Sequence, residues 1–357
     1  MALKIIFYWP RTFPTVYKVC DLRSLEYARL DKKVQDVTML DGNKAISGFA
    51  DAEKFQDPLV TVRGEERAVV VLTHLHTLWF NTGSLCNIAC VNCYMDSGPA
   101  NDDLVYLSLD DVRRYLDEAE REGCDLREVA FTGGEPFMNK CLPDMLAEAL
   151  GRGYRVLVLT NAMKPLHNKK QRLLEISACH GEALTLRVSL DHFTPARHEA
   201  IRGKGTWKPT MDGLRWLAEN GFNVAVAGRT CWSETKQQAR DGYAELFHAD
   251  QIPIDAHDPA RMVLFPEMDG SVDVPEISVH CWNILDVKPE SIMCATSRMV
   301  VKKKGAEVPA VVPCTLLPYD AAFEMGADLA ASAGSVRLNH PHCAKFCVLG
   351  GASCSPG

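Results

Sequence analysis

The feature that most constrains the fold is a regular alternation of short apolar segments and helical segments along the middle of the chain. The apolar segments predict six strands, at 78–82, 128–132, 155–160, 184–190, 222–230 and 261–265. Short strands that are apolar throughout and alternate with helices are typical of a parallel sheet with helical crossovers. The sequence therefore predicts an α/β fold, although the alternation by itself fits an open sheet as well as a barrel.

Polar residues and glycines follow the carboxyl ends of these predicted strands. The first strand leads into a cysteine-rich loop and the second into the turn 133–136, which reads Gly-Gly-Glu-Pro. Asn161, Asp191 and Arg229 stand at the ends of the next three strands. Because ligand sites in parallel α/β folds lie at the carboxyl ends of the strands, we expect all of these residues around one site.

The cysteine-rich loop contains Cys86, Cys90 and Cys93 with the spacing C-x3-C-x2-C. Three thiolates this close in sequence can bind one metal centre without closing a long loop. A [4Fe–4S] cluster held by three cysteines leaves one iron free for a ligand that is not protein. A zinc knuckle is the alternative, but structural zinc takes four protein ligands, and no fourth Cys or His lies close after Cys93 in the sequence.

This loop resembles the core motif of the radical S-adenosylmethionine (SAM) superfamily, in which an aromatic residue accompanies the last cysteine; here it is Tyr94. The resemblance implies that the free iron chelates SAM, and that an electron from the cluster cleaves SAM to a 5′-deoxyadenosyl radical. It also implies a partial (β/α)6 barrel of the TIM type. The expected domains are an N-terminal extension (1–77), the core barrel (78–266) and a small cysteine-rich C-terminal domain (267–357).

The same resemblance assigns SAM-binding roles at the strand ends. The candidate residues are Tyr94, Gly133, Gly134, Glu135, Pro136, Asn161, Ser189, Asp191 and Arg202. In the family the Gly-Gly-Glu-Pro turn contacts the SAM amino group. Arg202 falls where a family arginine can pair with the SAM carboxylate, which suits a bidentate guanidinium; an exposed cation at a helix end is the alternative. Tyr94 is expected to lie against the adenine or to pack under the loop.

Six further cysteines fall near the C-terminal end of the sequence: Cys281, Cys294, Cys314, Cys343, Cys347 and Cys354. A β-hairpin is expected between Cys294 and Cys314, and it resembles the opening of the SPASM and Twitch extensions, where such a hairpin starts an auxiliary [4Fe–4S] site. A full SPASM pattern has more cysteines, so we expect one auxiliary cluster, held by Cys294, Cys314 and two of the other four. A zinc site of four thiolates is the alternative.

The remaining expectations concern the segment that follows the hairpin and the other thiols. Pro341 and the pair Gly350-Gly351 predict a loop around Cys343 and Cys347, which would close the open side of the barrel against the hairpin. Four cysteines lie in or beside predicted helices and strands, and we expect them to be packing thiols: Cys124, Cys141, Cys179 and Cys231.

Composition limits the classes of partner and compartment. A net charge of −7 argues against broad nucleic-acid binding. No apolar stretch is long enough for a membrane span and the first residues do not resemble a signal peptide. Fourteen cysteines without an export signal indicate reduced thiols and metal ligands, so we expect a cytoplasmic protein.

Together these patterns predict a radical SAM enzyme that abstracts hydrogen from a peptide or small-molecule substrate. It would take its electron from an external one-electron reductant of the flavodoxin or ferredoxin type. Two alternatives stay open: an epimerase-type reaction, in which a thiol or tyrosine returns a hydrogen atom, and an iron–sulfur electron-transfer protein or cluster carrier without SAM chemistry. The substrate, the net reaction and the oligomeric state do not follow from the sequence.

Overall fold

The structure is a computed structural model that describes residues 54–270 and 272–354, so residues 1–53 of the expected N-terminal extension lie outside it. Its strands, in chain order, are β1 (Val69–Val70), β2 (Thr77–Asn81), β3 (Glu128–Thr132), β4 (Arg155–Thr160), β5 (Leu184–Ser189), β6 (Asn223–Thr230), β7 (Met262–Pro266), β8 (Ser297–Val301), β9 (Ala310–Val312) and β10 (Val336–Arg337). Strands β2 to β7 lie close to the six predicted strands.

One sheet contains eight of these strands in the order β7-β6-β5-β4-β3-β2-β8-β9. Strands β2 to β7 are parallel to their neighbours, which confirms the predicted α/β fold with helical crossovers. Strands β7 and β9 form the two edges of the sheet. The short strands β1 and β10 pair with each other in a separate antiparallel ribbon.

Two of the crossover helices begin at a capping box. The crossover helices are α1 (Leu109–Arg121), α2 (Leu142–Gly151), α3 (Lys164–His167), α4 (Lys170–His180), α5 (Pro195–Arg202), α6 (Trp207–Glu219) and α7 (Lys236–Ala249), and the short α8 (Cys281–Leu285) follows β7. The Ser108 hydroxyl accepts from the backbone N–H of Asp111 at 3.1 Å, and the Asp111 carboxylate accepts from the N–H of Ser108. Thr235 and Gln238 form the same capping box at the start of α7.

The two faces of the sheet pack against different parts of the chain. Val129 and Phe131 of β3 face the crossover helices, whereas Ala130, between them, faces the opposite side. This alternation follows from the two-residue period of a strand. On the second side, Trp79 and Ala130 belong to the same buried cluster as Phe346 near the C-terminal end of the described chain. The C-terminal region therefore covers this second side of the sheet, which we call the inner face.

The C-terminal region begins with the predicted hairpin. Strands β8 and β9 pair antiparallel, with Val300 opposite Val311, and Cys294 and Cys314 lie just outside the two strands. Strand β8 also pairs in parallel with β2, so the hairpin extends the main sheet. The sheet thus continues across position 267, and the division into domains stays a prediction.

Two local expectations are wrong. Residues Cys343–Leu349 form a π-helix and not a loop, because Pro341 precedes the helix and Gly351, with φ of 58°, follows it, so neither interrupts it. The thiol-bearing residues Cys141 and Cys179 are exposed to solvent, so they are not packing thiols. Within the two described ranges, no helix is both long enough and apolar enough to cross a membrane.

Candidate metal centres and cofactor cavity

A cavity opens at the carboxyl ends of the parallel strands, where the sequence predicted a site. The thiol-bearing residues Cys86, Cys90 and Cys93 line this cavity, which we call the core cavity. Seven of the nine candidate SAM-binding residues also line it: Tyr94, Gly133, Gly134, Asn161, Ser189, Asp191 and Arg202. Burial raises the pKa of the Cys86 thiol to about 12, so a bound metal cation would be needed to ionise it at neutral pH.

The glycine turn after β3 packs directly on the backbone of the cysteine loop. The N–H of Gly134 donates to the carbonyl of Gly83 at 2.8 Å, and the N–H of Glu135 donates to that of Leu85 at 3.1 Å. A Cβ on Gly134 would collide with the carbonyl oxygen of Leu85, and Gly133 has a φ of 140°. Both positions therefore require glycine, and the close approach fixes the cysteine loop against the turn.

Glu135 and Pro136 of the same turn do not line the core cavity. The Glu135 carboxylate accepts from the N–H of Asn161 at 2.8 Å, from the Thr160 hydroxyl at 2.9 Å and from the N–H of Phe137 at 3.2 Å. Burial raises its pKa to about 7, against the effect of these donors. Glu135 thus joins the ends of β3 and β4, and its contact with the SAM amino group stays a prediction.

A buried charge cluster occupies the opposite wall of the core cavity. The Arg202 guanidinium binds Asp191 through Nε–Oδ2 at 2.8 Å and Nη2–Oδ1 at 3.3 Å, and Nε of Arg229 lies 3.4 Å from Asp191 Oδ1. Burial opposes ionisation of Asp191, but the two arginines outweigh it and keep the pKa of this carboxyl low. Arg202 is therefore a largely buried ion-pair partner and not an exposed cation at a helix end.

Sequence reasoning assigned no role to Arg229 and did not single out Glu267, yet both hold the cysteine loop. Arg229 Nη1 donates to the carbonyls of Val91 and Asn92, at 3.2 and 3.1 Å, between Cys90 and Cys93 in the chain. The Asn92 amide donates to Glu267 Oε1 at 2.8 Å. Both residues stand at strand ends, Arg229 in β6 and Glu267 just after β7, and that position was the available signal.

Tyr94 connects the cysteine loop to the C-terminal region. Its hydroxyl donates to the carbonyl of Pro266 at 2.9 Å, and its ring lies 4.5 Å below the Arg229 guanidinium. The Phe346 ring, from the π-helix, packs edge-on against Tyr94 with 5.8 Å between centroids, and lies 5.2 Å from Phe265. The C-terminal region therefore packs beside the cysteine loop, as its predicted closing role requires.

A second cavity lies between the hairpin and the π-helix. Four thiols line it, from Cys294, Cys314, Cys343 and Cys347, together with apolar side chains such as Leu316 and Leu338. Burial raises the pKa of the Cys343 and Cys347 thiols well above its ordinary value. Among the residues that the structure describes, no three His, Cys, Asp or Glu side chains converge on the position of a single metal ion.

Cys354 and Cys281 do not line this second cavity. The Cys354 sulfur accepts from the Thr315 hydroxyl at 3.2 Å, and its carbonyl accepts from Arg187 Nη1 at 2.7 Å. Arg187 belongs to β5, so Cys354 attaches the C-terminal region to the inner face of the sheet. The structure thus places four candidate auxiliary ligands around one cavity, and Cys354 lies beside them. The four are Cys294, Cys314, Cys343 and Cys347.

Comparisons with known proteins agree with the fold and the cysteine loop. Residues 80–239 match the model of the Radical SAM superfamily. A segment of 208 residues is 26% identical to Fe-coproporphyrin III synthase of Methanosarcina barkeri, over 57% of this chain and 46% of that protein. Over 192 residues the chain is 26% identical to the antilisterial bacteriocin subtilosin biosynthesis protein AlbA of Bacillus subtilis, covering 52% of this chain and 41% of AlbA. The match therefore spans less than half the length of these curated relatives.

Among solved structures, Streptococcus suis SuiB bound to S-adenosylmethionine resembles this fold with a TM-score of 0.52. The identity is 12%, over 72% of this chain and 64% of SuiB, so the likeness concerns the fold alone. The parallel sheet and the cysteine-lined cavity at its strand ends define an α/β protein built around a three-cysteine loop. Residues 80–239 resemble the radical SAM superfamily, and the Methanosarcina relative named above as a synthase is an enzyme.

Proposed function

We propose that the chain is a radical SAM enzyme that removes a hydrogen atom from a peptide or small-molecule substrate. The observation that carries this proposal is the shared cavity, in which three loop thiols face the polar residues of four strand ends. When bound there, a [4Fe–4S] cluster and SAM supply a 5′-deoxyadenosyl radical after an external flavodoxin- or ferredoxin-type donor delivers one electron.

The residues of the core cavity fit this pair of cofactors. Cys86, Cys90 and Cys93 would hold the cluster and leave one iron for SAM. The glycine turn lets a ligand approach the main chain closely. The Arg202 guanidinium, which binds Asp191, lines the cavity, and an arginine at this wall suits the SAM carboxylate.

The surrounding aromatic side chains would keep this cavity dry. Tyr94, Phe265 and Phe346 pack against one another along the side where the C-terminal region covers the sheet. Exclusion of water protects a reactive radical from side reactions and strengthens the charge interactions of the cavity. These three rings therefore support a radical reaction better than they support a simple cluster carrier.

The second cavity fits an auxiliary [4Fe–4S] cluster held by Cys294, Cys314, Cys343 and Cys347. In such a cluster each thiolate binds its own iron, so the thiols surround a cavity instead of meeting at a point. The four thiols line their cavity from three segments of the chain, which supports a cluster over a zinc site. Cys354, bound to Thr315, is then a neighbour of the cluster and not a ligand.

The substrate class stays open between a peptide and a small molecule. AlbA is named for the biosynthesis of the bacteriocin subtilosin, and the Methanosarcina relative is named as a synthase of Fe-coproporphyrin III. The two names therefore support both substrate classes, and the proposal retains both.

The deciding experiment measures SAM cleavage by protein that has been reconstituted with iron and sulfide without oxygen. We expect dithionite-reduced protein to produce 5′-deoxyadenosine and methionine from SAM even without substrate. Variant Cys86→Ala/Cys90→Ala/Cys93→Ala should lose this activity and about four of about eight irons, whereas the exposed-thiol control Cys179→Ala should keep both. Recovery of intact SAM with the wild-type protein would reject the proposal and favour a cluster carrier.

A further inference from the structure

Two arginines of the described residues, Arg67 and Arg298, are completely buried, but only one of them lies in an ion pair. Arg67 donates to Glu276 Oε1 at 2.6 Å and to the carbonyls of Asp57 and Val60, both at 2.9 Å. Arg298, on β8, forms no ion pair with a carboxylate of the described residues. Because a buried charge without a counter-charge is costly, Arg298 needs an anion that the described carboxylates do not provide.

Backbone carbonyls surround the Arg298 guanidinium. Its Nε donates to Ser332 at 2.8 Å, Nη1 to Cys294 and Ser297 at 2.7 and 2.8 Å, and Nη2 to Gly334 at 2.9 Å. These bonds satisfy the N–H donors and fix the plane of the group. They do not cancel its charge, since a carbonyl is a dipole without net charge.

Burial lowers the pKa of Arg298 to about 10, and the charges of Cys294 and Cys314, which both line the second cavity, act in the opposite direction. One of the four carbonyls that bind the guanidinium belongs to Cys294 itself. The cation is thus held rigidly beside the four-thiol cavity, on a strand that also joins the main sheet. A metal–thiolate centre in that cavity would carry net negative charge and would be the missing anion.

We propose that Arg298 is the counter-charge of the centre held by Cys294, Cys314, Cys343 and Cys347, and that it raises the reduction potential of that centre. This inference rests on the auxiliary cluster of the proposed function. Reduction of a cluster held there would add one electron from the external donor, and so one negative charge, with no bond broken. A fixed cation stabilises the more negative reduced form over the oxidised form, because net charge and local electrostatics set the potential of an iron–sulfur centre.

The test measures the potential in a protein that contains the auxiliary cluster alone. In the Cys86→Ala/Cys90→Ala/Cys93→Ala background, an anaerobic redox titration followed by electron paramagnetic resonance gives the midpoint potential. We expect Arg298→Gln to shift the reduction equilibrium at least tenfold toward the oxidised form, about 59 mV for one electron. Arg298→Lys keeps the charge and loses carbonyl contacts, so the potential should stay near that of the unaltered side chain while the melting temperature falls.

Arg67→Gln is the matched control, because it removes an equally buried arginine that lies in an ion pair with Glu276. It should lower the melting temperature and leave the potential unchanged. An unchanged potential in Arg298→Gln would overturn the inference and leave Arg298 as a structural link between β8 and residues 332–334.

Loss of the cluster from Arg298→Gln is also informative. Restoration by Arg298→Lys would support the charge requirement, whereas loss from both variants would show that the carbonyl contacts alone matter and would overturn it. If the background protein binds no iron even with Arg298 intact, the proposed auxiliary cluster fails, and SAM cleavage by the wild-type protein still tests the core cavity independently.

Discussion

The two cysteine-lined cavities of this protein differ in how their ligands are supplied. The three thiols of the core cavity come from one loop that is held by a glycine turn, by Arg229 and by Glu267. The four thiols of the second cavity come from both ends of a hairpin and from a π-helix far along the chain. The core site therefore depends on one locally fixed loop, whereas the second depends on the assembly of the whole C-terminal region.

The two cavities also differ in the polarity of the side chains that line them. Charged and polar side chains of several strand ends face the core cavity, and the three-cysteine set leaves room for a ligand that is not protein. Apolar side chains surround the second cavity, with one buried cation beside it. An incomplete ligand set favours chemistry and a complete one favours structure or electron storage, as in open and closed zinc sites.

The largest effect that separates the two cavities should come from Gly134→Ala. The new Cβ would collide with the carbonyl of Leu85 and displace the cysteine loop. A displacement of about 1 Å at such a site costs on the order of 100-fold in rate. We expect that loss in 5′-deoxyadenosine formation, with the auxiliary iron retained. Gly151→Ala, where a Cβ meets open space, is the control and should keep full activity.

A smaller effect should distinguish the ligands of the second cavity from their neighbour. Cys347→Ala removes a thiol that lines the cavity, whereas Cys354→Ala removes one that binds Thr315 beside it. We expect Cys347→Ala to lose about four irons and Cys354→Ala to lose none. Because metal binding to thiols from separate segments is coupled to folding, Cys347→Ala should also melt at a lower temperature. The opposite iron counts would make Cys354 the ligand.

The contrast between a locally fixed loop and a site assembled from distant segments also explains which parts of the molecule the sequence could predict. Strand periodicity, the spacing of Cys86, Cys90 and Cys93, and the hairpin between Cys294 and Cys314 are local patterns, and the structure contains each of them. The helix of the C-terminal region was missed because Pro341 and Gly351 flank it, and flanking positions are where helices tolerate both residue types.

The partners of long-range contacts could not be read from the sequence, even where a strand-end position marked the residue that makes them. Arg229 meets the carbonyls of Val91 and Asn92 only because the strand order brings the end of β6 over the cysteine loop. Arg298 meets carbonyls, which every residue possesses, so its partners leave no trace in the residue types. Glu135 shows the converse, since its motif predicts contact with a ligand while its carboxylate binds Thr160 and Asn161.

The smallest of these effects should come from Phe346, the side chain through which the two regions touch. Its ring is buried against Tyr94 and Phe265, and it lies in the chain between Cys343 and Cys347. Phe346→Ala should lower the free energy of unfolding by about 3 kcal/mol and let water reach the side of the core cavity. We expect both clusters to load, with a few-fold lower ratio of 5′-deoxyadenosine formed to core cluster loaded, because water weakens the charge interactions of the cavity. Phe346→Leu keeps most of the apolar volume and should retain the wild-type ratio. If the alanine variant keeps that ratio while its stability falls, the aromatic contact stabilises the fold but does not exclude water from the core cavity. The two regions then affect each other only through the stability of the fold.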